Sequence, residues 1–262
     1  YINMLWMWGK NKMYLETNDY DKNIFIFGKP MDTKFGIMRN LTYEEFLFIS
    51  KDINIISQNT LHIYYQYLEM YKNNRASQEE MDALKDFKDI DLYDLVQTMS
   101  QLKDAYLRTY QLVFDKNEEY KIYDIFDTKE DFHFVRKLFM DMNVLIEDSV
   151  SPNEEIQRAI ERSRRMKKNT SENNTFVDIT TSIVASTSYS FEEVADLNIF
   201  QVYAIYARIG AIYNYQTSTL FATVAEKVNI ESWNKHINLF EEENNVISKD
   251  EFDRKFGGML KM

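Results

Sequence analysis

The sequence has no cysteine among its 262 residues. That absence excludes disulfides, thiolate zinc sites, iron–sulfur clusters and cysteine nucleophiles together, and with them any small disulfide-stapled scaffold. Proline and glycine are scarce, at 2 and 6 residues, against ordinary usage of roughly 5% and 7%. Sandwiches and barrels need many tight turns, so so few turn-makers favour helices. No apolar run reaches the roughly 18 residues that a membrane span requires. The best candidate, Leu197 to Tyr213, is interrupted by Gln201 and Arg208. Neither GxxxxGK nor GxGxxG occurs, so no glycine-rich loop is present to cradle phosphates, and the G-x-S-x-G nucleophile elbow is missing as well. The three histidines, His62, His133 and His236, lie too far apart in sequence for a local metal motif.

What is present is acid, apolar mass and aromatic rings. Asp and Glu number 42 against 31 Lys and Arg, a formal charge of −11, which argues against a general nucleic-acid binder. Apolar residues make up 45% of the chain and aromatics 15%, enough for one large core or two small ones. The opening Tyr1-Ile2-Asn3 lacks an initiator methionine and reads as a trimmed start. It also lacks the basic region, apolar run and small-residue site of a signal peptide. The expectation is a soluble, cytoplasmic protein.

The fold class expected is mainly α: a helical bundle with a small N-terminal β-hairpin and a helical C-terminal subdomain. Residues 1–40 form the N-terminal segment. Within it, Met13–Thr17, the Asn18-Asp19-Tyr20-Asp21 cluster and Asn23–Gly28 read as strand, turn, strand. Residues 41–168 form a helical domain, 169–189 a linker or extended connector, and 190–262 the C-terminal subdomain with a docking tail. Capping boxes at Thr42–Glu45, Ser77–Glu80, Ser190–Glu193 and Ser248–Glu251 set helix starts, because hydroxyl and carboxylate satisfy each other's free amides. At Ser151-Pro152-Asn153-Glu154 proline falls at a first helical position.

Between Asp91 and Phe114, apolar residues from Leu92 to Val113 recur every 3.5 residues on average, the pattern of a long bundle helix. Lys129 to Ile146 carries a second stripe of Phe132, Val135, Phe139, Met142 and Ile146. Val177–Val184 has strand or connector character. In the C-terminal subdomain, Ile199, Val202, Tyr206, Ile209 and Tyr213 make one stripe and Ala204, Ala207 and Ala211 another. A helix apolar on both faces is expected to be buried on both. Ile230, Trp233, Ile237 and Phe240 mark a last packed helix, and Lys249–Phe256 a short element ending at Gly257-Gly258.

Chemistry-bearing constellations are sparse. His62, among Leu61, Ile63, Tyr64 and Tyr65, reads as a hydrogen-bonded helix residue, and His236, beside Trp233 and Phe240, as a packing residue. His133, near Glu130 and Asp131, could serve an enzyme that uses dispersed carboxylates and a divalent ion. Asp89, Asp91 and Asp94 resemble part of a calcium loop but lack its glycine and closing glutamate. Residues 151–168 reverse the charge of the chain to +3. They read either as a solvated face or as a docking site for an acidic partner, an RNA or another copy's Glu241–Glu243 run. Thirteen methionines suit an adaptable hydrophobic binding surface, although AT-rich coding explains them equally. Met4-Leu5-Trp6-Met7-Trp8 reads as a docked element or a partner patch.

Residues 191–243 carry a resemblance. Phe191-Glu192-Glu193-Val194, the Asn198–Tyr213 helix, Thr219–Val224, Ile230–Ile237 and Phe240–Glu243 together resemble tail assembly chaperones of phages of low-GC Gram-positive bacteria. The resemblance implies a non-enzymatic helical protein that coats the hydrophobic tape-measure protein before the tail tube polymerises, often made in two frameshifted forms. At 262 residues the chain is long for the short form. No catalytic residues carry over.

The expected function is therefore phage morphogenesis without catalysis, cofactor or metal. Its partners would be a tape-measure or other phage or host protein and a second copy of the chain, with no membrane and no nucleic acid. The alternative is a regulator that binds a host or defence protein. The partner-binding candidates are Trp6, Trp8, Trp233, Phe240, Phe252, Phe256, Arg164 and Arg165.

Overall fold

A computed structural model describes residues 13–14, 20–73, 87–114, 121–147, 150–170, 174–225 and 228–240, with backbone alone at 13–14 and 164–170. Trp6, Trp8, Phe252, Phe256, the Ser77 and Ser248 boxes and the C-terminal tail lie outside the described residues. The chain enters through β1 (Met13–Tyr14), a 3₁₀ helix (Lys22–Phe27), β2 (Met31–Thr33) and β3 (Gly36–Met38). Three helices follow: α1 (Tyr43–Phe48), α2 (Ser50–Ile56) and α3 (Thr60–Asn73). Then come α4 (Leu92–Thr98), α5 (Ser100–Val113), α6 (Lys121–Asp124), α7 (Lys129–Met142) and α8 (Glu154–Thr170). The last are α9 (Phe176–Ser186), α10 (Phe191–Asp196) and α11 (Ile199–Phe221). The fold is mainly α, as expected.

Helix starts follow local capping chemistry. The Thr42 hydroxyl accepts from Glu45 N–H at 3.2 Å while Glu45 accepts from Thr42 N–H at 3.0 Å, and α1 begins there. Ser190 and Glu193 do the same for α10. Two further boxes, Thr175–Asp178 and Asn198–Gln201, open α9 and α11. They use the same three-residue grammar with a shorter acid in one and amides in the other. At α8 the cap is Asn153, whose side chain accepts from Glu155 N–H at 2.9 Å. Pro152 precedes the cap rather than sitting at the first helical position, because the asparagine oxygen supplies the acceptor that the free amides need.

A hairpin exists, three residues beyond the end of the expected second strand. Met31 pairs with Met38 and Thr33 with Gly36, while β1 lies parallel to β2 with Met13 opposite Met31. Asn23–Phe27 winds instead into the 3₁₀ helix. Asp21 accepts from Asn23 N–H at 2.9 Å at one end, and Gly28 takes a left-handed φ of 63° at the other. An acidic cap and a glycine stop outweigh the β preference of Ile24, Phe25 and Ile26.

Tertiary packing revises several ends. The Asp91–Phe114 helix is two helices, since Met99 adopts extended backbone (φ −104°, ψ 101°). Thr98 turns its hydroxyl back onto the Asp94 and Leu95 carbonyls just before the break, the back-bonding that loosens helices. Leu92, Leu95, Leu102, Tyr106, Tyr110 and Val113 are all buried nevertheless. Helix α7 stops at Met142, four residues before Ile146, while Phe132, Val135, Phe139 and Met142 fill the core as expected. Val177–Val184 lies in α9, because the Thr175 cap starts a helix and Ile179 and Ile183, four apart, are buried on one side. The core joins α1, α2, α4, α5 and α7 to the first turns of α11, with α2 against α5 as its densest helix pair.

Candidate functional site

Helix α11 departs most from expectation. Ile199, Phe200 and Val202 are buried, but Ala204 to Ile209 are half-buried, and Tyr213, Leu220 and Phe221 are exposed. The sequence pattern implies burial on both faces; the structure covers only the first turns, because among the described residues no helix follows to cover the rest. Residues 230–240, expected as a packed helix, run as turns and irregular chain. Trp233 is 47% exposed there, and His236 is exposed too. Among the described residues, Phe240 alone of that stripe reaches an aromatic neighbour, with its ring 5.9 Å from that of Phe200 and under Lys22 Nζ at 4.6 Å.

Of the fifteen large hydrophobic residues exposed among those described, ten fall between Phe176 and Trp233. Tyr213, Leu220, Phe221 and Val224 follow helical spacing along one side of α11 and its final turn. Single exposed apolar residues are ordinary on any surface, whereas a concentration along one element marks an interaction site. Phe176, Val177 and Phe191 extend the apolar character to α9 and α10. Of the candidate partner-binding residues, the structure places Trp233 in this region, exposed, and Phe240 at its anchored edge. Arg164 and Arg165 lie in α8.

Two other concavities are charged. A cleft of about 430 Å³ is lined by Lys22, Lys137, Asp141, Glu147 and Phe240. Asp141, only 4% exposed, accepts from Lys22 at 2.7 Å, Lys137 at 2.8 Å and the Tyr20 hydroxyl at 3.0 Å. Burial, then the Asp141 charge, pushes the Tyr20 phenol well above its ordinary range. The second, about 690 Å³, lies between α1 and α5 among Phe48, Ile49, Leu112 and the Arg108–Asp52 pair.

The acidic residues singled out from sequence serve structure. Asp91 accepts from Tyr93 N–H at 2.8 Å to cap α4, and its other neighbour is His133 Nε2 at 2.9 Å. Burial raises the Asp91 pKa, but these hydrogen bonds outweigh it and hold the carboxylate below its ordinary value. Asp94 pairs with Lys129 at 2.5 Å. His62 Nδ1 lies 3.1 Å from Asn59 Oδ1. Among the described residues no cluster of three His, Asp or Glu is placed to hold a metal ion. No helix among them is long and apolar enough to cross a membrane.

Fold and surface together define a mainly α protein whose distinguishing feature among the described residues is an uncovered apolar helix. Residues 20–152 match the YomV N-terminal domain, a span of just over half the chain, and residues 167–238 match the YomV second domain. The chain belongs to the YomV family. It is similar to the SPbeta prophage-derived uncharacterized protein YomV of Bacillus subtilis (strain 168), at 27% identity over 241 residues, 90% of this chain and 98% of the relative. No solved structure matches the chain. The exposed face of α11 lies wholly inside the second matched domain. These matches do not speak to tail assembly.

Proposed function

We propose that this protein is a non-enzymatic factor of phage origin that binds an apolar helix of another protein on the α11 face. The observation that carries the proposal is the concentration of exposed apolar side chains on α9–α11, among them Leu220 at 70%, Val177 at 68% and Phe221 at 59% exposure. Helix-in-groove recognition uses such a surface against a partner's i, i+3, i+4, i+7 anchors. The prophage-derived relative supports a phage setting, and the resemblance of residues 191–243 to tail assembly chaperones names the tape-measure protein as occupant. The formal charge of −11 would keep such a complex soluble.

Co-expression with the tape-measure protein of the same phage tests this directly. The expected result is a soluble complex on gel filtration, lost in a Leu220→Ser/Phe221→Ser variant whose melting temperature stays within 1–2 °C of the parent, roughly the change for surface substitutions of this kind. Precipitation of the tape-measure protein regardless sinks the tail-chaperone reading. Recovery of a host protein in its place, on the same two residues, moves the function to regulation.

A further inference from the structure

The segment over α11 has a construction that bears on when this face is open. Residues 228–240 contain neither helix nor strand. Among the described residues, the hydrogen bonds joining the segment to α11 come from one atom, Arg208 Nη1, which donates to the carbonyls of Trp233 at 2.5 Å and Lys235 at 3.0 Å. Its remaining bonds are internal, such as Ser232 to Asn234 and Lys235 to Glu231. The far end is pinned apolarly, by Leu239 and Phe240 packed on the core. One end is thus anchored by burial and the middle is latched by a single guanidinium.

The middle does not pack down. Ile230 and Trp233 remain 42% and 47% exposed. A gap of about 280 Å³ separates the segment from α11, lined by Ala207, Gly210 and Ala211 below and Ser232, Lys235 and Ile237 above. A Cβ built on Gly210 would meet nothing within 4 Å. Glycine inside a helix is destabilising relative to alanine, and nothing packed against it here uses its small size. A segment with few buried apolar contacts and exposed hydrogen bonds is one that opens locally at low free energy.

We propose that residues 228–240 are a releasable strap, latched by Arg208 and hinged at Phe240, that regulates access to the apolar face of α11. This rests on the helix-binding reading above. The closed strap competes with an incoming helix; lifting it breaks the two Arg208 bonds and uncovers the half-buried Ala207 and Ala211, lengthening the apolar surface already exposed at Tyr213, Leu220 and Phe221. Because the binding-competent state is only fractionally populated while the latch holds, weakening the latch tightens binding by that fraction.

Hydrogen exchange on the full chain reads this out, using as probe a synthetic 20-residue helical peptide with Leu and Ala on one face and Lys on the other, and its scrambled counterpart as control. In the parent protein the peptide should quicken exchange at 228–238 while slowing it at 204–214. Arg208→Gln should quicken the strap without peptide and tighten peptide binding about threefold or more, leaving the melting temperature nearly unchanged. Peptide binding that slows strap exchange, or an Arg208→Gln affinity equal to the parent's, overturns the strap and leaves helix binding intact. A peptide that binds neither protein, or binds no better than its scrambled form, overturns both.

Discussion

The buried guanidinium of Arg136 donates twice to the carbonyl oxygen of Ile56, from Nε at 3.1 Å and from Nη2 at 2.9 Å. Nη2 also reaches the Gln58 carbonyl at 3.0 Å, Nε the Tyr106 hydroxyl at 3.0 Å, and Nη1 the Glu147 carboxylate. One side chain of α7 therefore satisfies the free carbonyls at the end of α2 and ties them to α5. Helix ends buried without such partners are costly, and the planar fork of arginine is what allows three directions of donation at once.

Arg136→Ala should therefore be severely destabilising, by about 3 kcal/mol or more, since it leaves buried carbonyls unpaired. At roughly 2–4 °C per kcal/mol for a chain of this size, the melting temperature should fall by about 6–12 °C. Arg136→Lys should recover only part of that loss, because an ammonium cannot reproduce the fork. Thermal unfolding followed by circular dichroism decides it. A lysine variant as stable as the parent would reduce the role of Arg136 to its charge.

The stop of α7 offers the opposite experiment. Val144 has φ 53°, a left-handed conformation that a β-branched residue rarely adopts. It lets Leu145 N–H reach back to the Met140 carbonyl at 2.9 Å and Val144 N–H to that of Asp141 at 3.5 Å, the pairing of a Schellman stop, where glycine is usual. Val144 is half-buried against the core, so replacement loses some packing. Relief of the strain should exceed it, and Val144→Gly should stabilise by about 1 kcal/mol. A rise in the denaturant midpoint at constant slope is the expected sign. A fall would mean that the apolar contacts of Val144 outweigh its backbone strain.

Acid should loosen the start of α1. Arg39 grips Glu45 through Nη1 at 2.7 Å and Nη2 at 2.8 Å, and the Glu45 carboxylate also closes the capping box with Thr42. These hydrogen bonds, that from Arg39 foremost, hold the Glu45 pKa below its ordinary value of 4.5. A carboxylate with a lowered folded pKa contributes stability that is complete above its unfolded value and lost as pH falls through the folded one. Stability attributable to Glu45 should accordingly be constant near neutrality and decline below about pH 4.5. Both partners are about a third exposed or more, so the contribution is modest, about 1 kcal/mol at most. Glu45→Gln should flatten that part of the pH–stability curve. An unchanged slope would place the acid sensitivity in other carboxylates.

The sequence by itself determined where helices begin and which residues meet the core. Thr42, Asp91, Ser190 and Asn198 act through side-chain oxygens on amides two or three residues away, a chemistry complete within one turn of chain. Phe132, Val135, Phe139 and Met142 fall on one side of a helix by periodicity alone. Tertiary structure decided where those helices stop and what stays uncovered. The 3₁₀ winding of Lys22–Phe27 is completed from far along the chain, where Asn198 and Gln201 donate to the Phe25 and Ile26 carbonyls, while the break at Met99 and the left-handed turn at Val144 are backbone departures that apolar periodicity does not register. Ile199 and Leu220 are equally apolar to a sequence reader. Only the first has α1 and the 3₁₀ helix packed over its turn, and whether an apolar face is core or surface depends on what the fold lays over it.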